Sequence, residues 1–164
     1  IYGMSAFGLA QNLGTERVTA QAYIDSYFNR YPGVKKFMDE TREQARRDGY
    51  VETVFGRRLR LPEIQSGSPA RRQAAERAAI NAPMQGTAAD LIKLAMVAVQ
   101  NFLDISKLKT KLIMQVHDEL VLEVPEMELA EVKEKVRELM QDVAKLDVAL
   151  IVDVGVGDNW DQAH

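Results

Sequence analysis

The sequence contains no cysteine, which excludes a disulfide framework and any metal site built on thiolates. No apolar run approaches the ~18 residues that a membrane-spanning helix requires, so we expect a soluble chain with no membrane partner. The 164 residues are 46% hydrophobic and 27% charged, values that are typical of globular proteins. Disordered, collagen-like and low-complexity classes are therefore excluded, and the length indicates one domain, or at most one and a half.

The chain also lacks an initiator methionine and the basic and apolar regions of a signal peptide. It opens with Ile1, Tyr2, Gly3 and Met4, and we therefore expect it to be part of a longer protein.

Charge is distributed unevenly along the chain. Residues 35–77 hold 11 Lys and Arg against 7 Asp and Glu, whereas the whole chain holds 21 and 24 and has a formal net charge of −3. The basic stretch contains six closely spaced arginines: Arg57, Arg58, Arg60, Arg71, Arg72 and Arg77. Such a cluster in an acidic protein indicates a face that binds phosphate or nucleic acid. From charge alone, a solvated surface is an equally good interpretation.

The first 99 residues have mostly helical spacing. We predict a helix ending near Asn12, a helix over about 16–30 capped by Thr15, and a helix that ends at Gly49. Residues 50–54 and 58–61 alternate with period two, which predicts a β-hairpin. A further helix is predicted to begin at Pro69, after Ser68, and to kink or break at Pro83 before it resumes through residue 99.

The last third predicts a small sheet. Two strands, 112–116 and 120–124, are separated by His117, Asp118 and Glu119. An amphipathic helix is predicted to start at Pro125, and a third strand is predicted over 148–154. A helix that covers an antiparallel sheet gives an α+β fold class.

The polar turn His117-Asp118-Glu119 is a candidate metal site. Hard cations such as Mg²⁺ bind carboxylate oxygens and often keep water and substrate phosphates as their other ligands. One or two carboxylates on a rigid hairpin would therefore hold a metal that also binds phosphate. An ordinary polar hairpin turn is the alternative, since Asp is common in turns.

Other catalytic classes find little support in the sequence. Neither histidine lies in an H-E-x-x-H zinc motif, and neither a thiol nor a G-x-S-x-G motif is present. Gly155-Val156-Gly157 lacks the third glycine and the following helix of a dinucleotide-binding motif, so we assign it no function.

Arg77, Asn81 and Gln85 are spaced i, i+4, i+8 and lie on one helical face if the helix continues past the proline. Their donors match the minor-groove acceptors of A·T pairs, which do not distinguish orientation. A polar helix face is the simpler interpretation.

Tyr2 beside Gly3 could stack on a base, although a buried tyrosine is commoner.

Two longer segments carry a family resemblance: Glu76 to Asp90 (ERAAINAPMQGTAAD) and Gln115 to Leu120 (QVHDEL). With them, the whole chain resembles the family A DNA polymerases. The resemblance implies a helical fingers segment with a β-hairpin over residues 1–68. It implies the C-terminal part of the palm, an antiparallel sheet covered by helices, over residues 69–164.

The resemblance also implies roles for single residues. Tyr2 is expected to pack over the nascent base pair. Arg77, Asn81 and Gln85 are expected to contact the minor groove of the primer–template. The remaining site residues lie at the hairpin turn: Asp118 as a catalytic ligand of Mg²⁺, Glu119 as a neighbouring catalytic carboxylate of lesser importance, and His117 as a contact to the primer end.

The implied reaction is two-metal nucleotidyl transfer, with two Mg²⁺ ions as cofactors and primer–template DNA and dNTP as partners. The family's second palm aspartate, and the fingers Arg and Lys that hold the triphosphate, would precede Ile1. We therefore expect the 164 residues alone to be inactive. A monomer is expected, in the cytoplasm and associated with the nucleoid.

Two other functions are left open by the sequence. A non-catalytic DNA-binding module would keep the Arg-rich face, although such a module gains nothing from Asp118 near phosphates. A single-subunit RNA polymerase shares a His-Asp turn, although the long segment around Arg77 to Gln85 favours the DNA enzyme.

Overall fold

The computed structural model describes residues 3–163. Within them it contains five α-helices, two two-stranded antiparallel sheets and two short 3₁₀ helices. The α-helices are α1 Ala6–Leu13, α2 Arg17–Arg30, α3 Pro32–Asp48, α4 Pro69–Ser106 and α5 Leu129–Gln141. The strands are β1 Tyr50–Glu52, β2 Arg58–Arg60, β3 Lys111–Val116 and β4 Glu119–Glu123, and the 3₁₀ helices are Pro62–Gln65 and Glu126–Glu128. The chain divides into two compact units after Thr87.

The helix ends of the first unit follow the predicted signals, with one exception. Gly14 and Gly49 end α1 and α3 in the left-handed region, at φ 62° and 74°, a conformation that glycine adopts without a Cβ clash. The prediction that Thr15 caps α2 was wrong. Glu16 occupies the cap position, and its side chain makes no capping hydrogen bond.

The first hairpin, β1–β2, is short. Tyr50 pairs with Arg60 and Glu52 with Arg58, so each strand has three residues rather than the four or five predicted. Val51 is buried, whereas all three residues of β2 are exposed. The hairpin is fixed to α3 and α4 by a small apolar core made of Ala45, Val51, Leu61, Ile64, Ala75 and Ala79.

Helix α4 runs through Pro83 as one continuous helix of 38 residues. Of the two predicted outcomes at the proline, a kink or a break, the break is therefore wrong. An internal proline removes one backbone donor and costs ~3 kcal/mol or more. Packing compensates for this loss on both sides, since Ala79 and Ile80 before the proline and Ala95 and Val99 after it are buried. The Thr87 hydroxyl also donates to the Pro83 carbonyl over 2.6 Å.

The second unit packs the β3–β4 hairpin against helices. Lys111 pairs with Glu123 and Val116 with Glu119, with an irregularity between Leu112 and Met114. The core combines α4, α5 and both strands: Val99, Leu103, Val132 and Val136 are buried, and Leu112, Leu120 and Leu122 pack against them. An antiparallel sheet covered by helices is thereby confirmed, and with it the α+β class.

Three boundary predictions need correction in this unit. The turn has two residues rather than three, because Glu119 is already paired in β4. Residues 126–128 form a 3₁₀ helix before α5 begins at Leu129. The predicted strand 148–154 is absent from the described part of the chain; it has no partner strand there, and Val148 and Ile151 are largely exposed. Backbone donors and acceptors need a neighbouring strand, and a short apolar run alone does not supply one.

Glu128 fixes the start of β3. Its carboxylate accepts the Lys109 N–H, the Thr110 N–H and the Thr110 hydroxyl over 2.9, 2.9 and 2.7 Å. The hydrogen bonds from the Thr110 side chain and the Lys109 backbone lower the pKa of Glu128 below its ordinary value, since they favour the charged carboxylate.

Among residues 3–163, no helix has both the length and the apolar character needed to cross a membrane.

Candidate metal and nucleic-acid site

The turn of the second hairpin exposes His117 and Asp118. Val116 pairs with Glu119, so these two residues form the whole loop. His117 has φ 51°, a left-handed conformation that costs a non-glycine residue ~1–2 kcal/mol. Two-residue hairpin loops commonly require a positive φ, and glycine or asparagine usually supplies it. A histidine held in this strained conformation, beside an exposed aspartate, is typical of a functional site.

The two sequence neighbours of Asp118, His117 and Glu119, are each held by a hydrogen bond from a side chain outside the loop. The Gln115 amide donates to the His117 carbonyl. The Trp160 indole N–H donates to Oε1 of Glu119 over 2.9 Å, from a residue 41 positions along the chain. Glu119 is partly buried at the start of β4, whereas Asp118 is exposed. The three predicted residues of the turn are therefore brought together, with Asp118 presented outward.

These residues fit a magnesium ion as one part of its ligand set. Carboxylate oxygens are the donors that Mg²⁺ prefers, and Mg²⁺ in phosphoryl-transfer sites commonly takes one or two carboxylates and fills its shell with water and phosphate oxygens. Across the described residues, no group of three or more His, Cys, Asp and Glu side chains is placed to hold a metal. Asp118 and Glu119 therefore need further ligands from a substrate or from other protein groups.

The continuous helix α4 brings the second predicted group together. Arg77, Asn81 and Gln85 lie on one face because each is four residues from the next. Arg77 and Gln85 are exposed. Asn81 is partly buried, and its Oδ1 atom is buried with no hydrogen-bond partner among the described residues. Buried polar atoms are nearly always paired, so this acceptor is suited to a donor from water or a ligand.

Gly3 lies against this helix face, which the sequence did not reveal. A Cβ at Gly3 would stand 3.1 Å from Cγ of Arg77, and its φ of 83° is strained for any other residue. Glycine therefore allows the chain to approach Arg77 closely. The predicted stacking residue, Tyr2, lies outside the described residues.

The tip of the first hairpin is docked on α4 beside Gln85. The Val54 N–H donates to the Thr87 hydroxyl over 3.0 Å, and the Arg57 guanidinium donates to the Gly86 carbonyl over 2.8 Å. A Cβ at Gly86 would stand 2.6 Å from Cγ2 of Thr53, so only glycine permits this approach. Sequence reasoning missed this contact, because nothing in the local pattern pairs a hairpin tip with a helix 30 residues later.

The arginine cluster is only partly neutralised. Arg58 pairs with Glu52 over 2.6 Å, which raises the pKa of Arg58, and it also lies 4.4 Å from the centre of the Tyr50 ring. Arg71 lies 3.8 Å from Glu63. Within residues 3–163, no ion pair involves Arg60 or Arg77. Arg60 and Arg77 are both exposed, which is compatible with either interpretation of the charge pattern, a phosphate-binding face or a solvated surface.

A cavity of about 350 Å³ lies away from these residues, between α4 and α5 of the second unit. Leu94, Val97, Leu139 and Glu138 line it, and none of the predicted site residues does. It is an open groove with mostly apolar walls and few groups for chemistry. The exposed turn of the second unit and the α4 face of the first unit therefore remain the candidate residues, each considered within its own unit.

The second unit is thus an α+β unit with an acidic hairpin turn, and the first unit carries a donor-rich helix face. The family model of DNA polymerase family A matches residues 1–162, and the chain belongs to that family.

Several relatives are similar over the whole chain. DNA polymerase I of Pseudomonas aeruginosa is 63% identical over 164 residues, and DNA polymerase I of Streptococcus pneumoniae is 50% identical over 163. These matches cover 100% and 99% of this chain but only 18% and 19% of the relatives. The chain thus spans less than a fifth of the length of these curated relatives.

A solved structure gives the same result for the fold. The POL domain of Pol1 from M. smegmatis, in complex with DNA primer-template and dNTP, is 48% identical to this chain with a TM-score of 0.96. The match covers 99% of this chain and 29% of that one. The family resemblance and the α+β class predicted from sequence are therefore confirmed, while the roles of the single site residues stay predictions.

Proposed function

We propose that the chain is a segment of a DNA-directed DNA polymerase and takes part in template-directed nucleotidyl transfer from a dNTP to a primer 3′-OH, in replication or repair. One observation carries the proposal: a family A polymerase chain presents Asp118 on an exposed, strained turn of a helix-backed hairpin. The family match and the long segment from Arg77 to Gln85 favour this over a single-subunit RNA polymerase. An exposed aspartate argues against a binding module, because it would repel phosphate.

Asp118 would hold Mg²⁺ in this proposal, with Glu119 beside it. Two bound Mg²⁺ ions would supply positive charge that activates the primer hydroxyl and neutralises the triphosphate. His117 would contact the primer end, and the β3–β4 core would keep the turn rigid. Precise positioning of this kind accounts for much of the catalysis in phosphoryl transfer.

Binding of the primer–template would fall to the other residues. Arg77, Asn81 and Gln85 would donate to minor-groove acceptors that every base pair offers, which recognises duplex shape without sequence. Tyr2 would pack over the nascent base pair. In this scheme residues 1–68 belong to the fingers and residues 69–164 to the palm. The intact enzyme would act as a monomer in the cytoplasm, on nucleoid DNA.

The test is replacement of Asp118 in the full-length polymerase that contains this chain. Loss of a carboxylate that stabilises the developing charge by several kcal/mol should lower Mg²⁺-dependent primer extension by about a hundredfold or more for Asp118→Ala. DNA binding should stay within about twofold, since removal of an acid does not weaken phosphate contacts. Asp147→Ala, at an exposed aspartate in the same unit, is the matched control and should extend normally. Full extension by Asp118→Ala would contradict the metal assignment.

The same proposal predicts that the 164 residues do not polymerise by themselves. Asp118 and Glu119 alone cannot complete two Mg²⁺ sites, and no larger group of metal-binding side chains lies within residues 3–163. Primer extension by the isolated chain with Mg²⁺ and dNTPs should therefore be undetectable. Measurable extension would overturn this part of the proposal.

A further inference from the structure

The 155–163 segment folds back on itself and makes close backbone contacts. A Cβ at Gly157 would stand 2.7 Å from Cβ of Gln162, and a Cβ at Gly155 would overlap the Ala163 carbonyl. The returning turn is closed by hydrogen bonds from the Asp158 N–H to the Gln162 side chain and from the Gln162 N–H to the Asn159 side chain. The glycine pair to which the sequence assigned no function therefore has a packing role, because any side chain there would displace the turn.

This folded segment presents Trp160 to the second hairpin. The indole N–H can only donate, and it donates to Oε1 of Glu119 over 2.9 Å. Trp160 is about half exposed, at 48%, so the ring is not simply a core residue whose polar atom found a partner. Its N–H fixes the orientation of a carboxylate adjacent to Asp118. A hydrogen bond to a charged acceptor is worth more than one between neutral groups.

The carboxylate of Glu119 is thereby held at one side of the turn, as the Gln115 amide holds the His117 carbonyl at the other. Asp118 is flanked by two residues whose positions are set by groups outside the loop. Hydrogen bonds to groups around a metal site commonly change metal affinity by ~10–100-fold when they are removed.

We propose that Trp160 is a positioning residue for the metal-binding turn: through Glu119 it orients the acidic hairpin end and so raises the affinity of the polymerase for Mg²⁺-dNTP. The inference rests on the proposed function of Asp118 and adds a role for the 155–163 segment, which has no helix or strand.

The test measures binding rather than turnover. In the full-length polymerase, Trp160→Phe keeps an aromatic side chain but removes the five-membered ring of the indole together with its N–H donor. We expect the Mg²⁺ concentration that half-saturates dNTP binding to a complex with a 3′-dideoxy-terminated primer to rise about tenfold, the lower end of such effects because the bond is half exposed. Val156→Ala truncates a 49% exposed side chain of the same segment and is the matched control. It should shift this half-saturating Mg²⁺ concentration less than twofold.

A double-mutant cycle separates positioning from general stability. If Trp160 acts through Glu119, then Trp160→Phe should cause no further shift in a Glu119→Ala polymerase, because the acceptor is already gone. Gly157→Ala leaves the indole intact but displaces the turn, and it should reproduce the shift of Trp160→Phe. This second variant tests the proposal even if the Phe variant folds poorly.

The outcomes distinguish this inference from the proposed function. Unchanged Mg²⁺ dependence in both Trp160→Phe and Gly157→Ala overturns the inference, as does a Trp160→Phe effect that adds fully to that of Glu119→Ala. Unchanged Mg²⁺-dNTP binding in Asp118→Ala would overturn the proposed metal site instead, whatever Trp160 does.

Discussion

The two β-hairpins of this chain are held in different ways. The β1–β2 hairpin has three-residue strands, exposes all of β2, and is anchored at its tip by polar contacts from Val54 and Arg57 to α4. The β3–β4 hairpin has longer strands and packs a face of leucines on α4 and α5, while its turn stays exposed. The first hairpin therefore uses its turn as an attachment point, and the second leaves its turn open to a ligand.

This difference explains why candidate chemistry belongs to the second hairpin. A turn that binds substrate must be both rigid and accessible, and rigidity must then come from the strands behind it. Apolar packing along a strand face supplies that support without occupying the turn. A tip fixed by hydrogen bonds to a helix is rigid as well, but its polar groups are already used.

The largest expected effect comes from breaking the packing behind the second hairpin. Leu103 is buried in the core beneath β3 and β4. Leu103→Ala should lower the local free energy of opening by about 2–5 kcal/mol, through lost burial and the cavity that remains. Hydrogen exchange of the β3–β4 amides measures this opening. Ile105→Ala, at an 81% exposed position of the same helix, should change it by less than about 0.5 kcal/mol. Equal effects at the two positions would contradict the role of this core.

A smaller effect is expected from crowding the tip of the first hairpin. Gly86→Ala places a methyl group 2.6 Å from Thr53, and overpacking of this kind costs about 1–3 kcal/mol, of which better helix propensity offsets about 1 kcal/mol. The net cost of up to about 2 kcal/mol should make the Val54 amide exchange faster by up to about thirtyfold, while the β3–β4 amides stay protected. Gly33→Ala, in α3 with open space around it, should be neutral or stabilising. Unchanged exchange at Val54 would show that the tip is not held there.

A more selective change tests the hydrogen bond itself. Thr87→Val keeps the shape of the side chain but removes the hydroxyl, which accepts the Val54 N–H and donates to the Pro83 carbonyl. Exchange at Val54 reports on the first of these two hydrogen bonds. We expect the tip to open more easily by about 0.5–1.5 kcal/mol, the net value of such a bond, with faster exchange at Val54. Thr87→Ser retains the hydroxyl and should behave like the parent. A Ser variant as labile as the Val variant would assign the effect to lost packing instead.

The smallest effect concerns the pH dependence of the second unit. Because three donors lower the pKa of Glu128 below its ordinary value of 4.5, its stabilising contribution is present above that pH and disappears as the pH falls through the folded-state pKa. Glu128→Gln should therefore flatten the loss of thermal stability below about pH 4.5 and change little near neutrality. If the melting temperatures of the parent and of Glu128→Gln fell in parallel as the pH is lowered, the titration of Glu128 would not contribute to stability.

Much of the fold was predictable from local patterns. Helical spacing together with Gly14 and Gly49 set the ends of α1 and α3. Period-two alternation located the first hairpin, and two apolar strands on either side of a polar turn located the second. The errors arose where distant packing decides the outcome. Continuity through Pro83 depends on burial on either side of it, and a strand over 148–154 requires a partner strand that no local pattern supplies.

The candidate site was predictable to a similar extent. His117, Asp118 and Glu119 do lie together, because sequence neighbours in a turn stay together, and a continuous helix necessarily aligns Arg77 with Gln85. The groups that hold these residues were not predictable. Trp160 and Glu119 are separated by 41 residues, and only the folded chain brings the indole to the carboxylate.

Trp160 has a further consequence that follows from its being the only tryptophan in the sequence. Indole emission depends on the hydrogen bonding and polarity around the ring, so in these 164 residues all tryptophan fluorescence reports from beside the acidic turn. Selective excitation of this residue makes it an intrinsic optical probe. Metal or nucleotide arriving at Asp118 could then be followed without any attached dye.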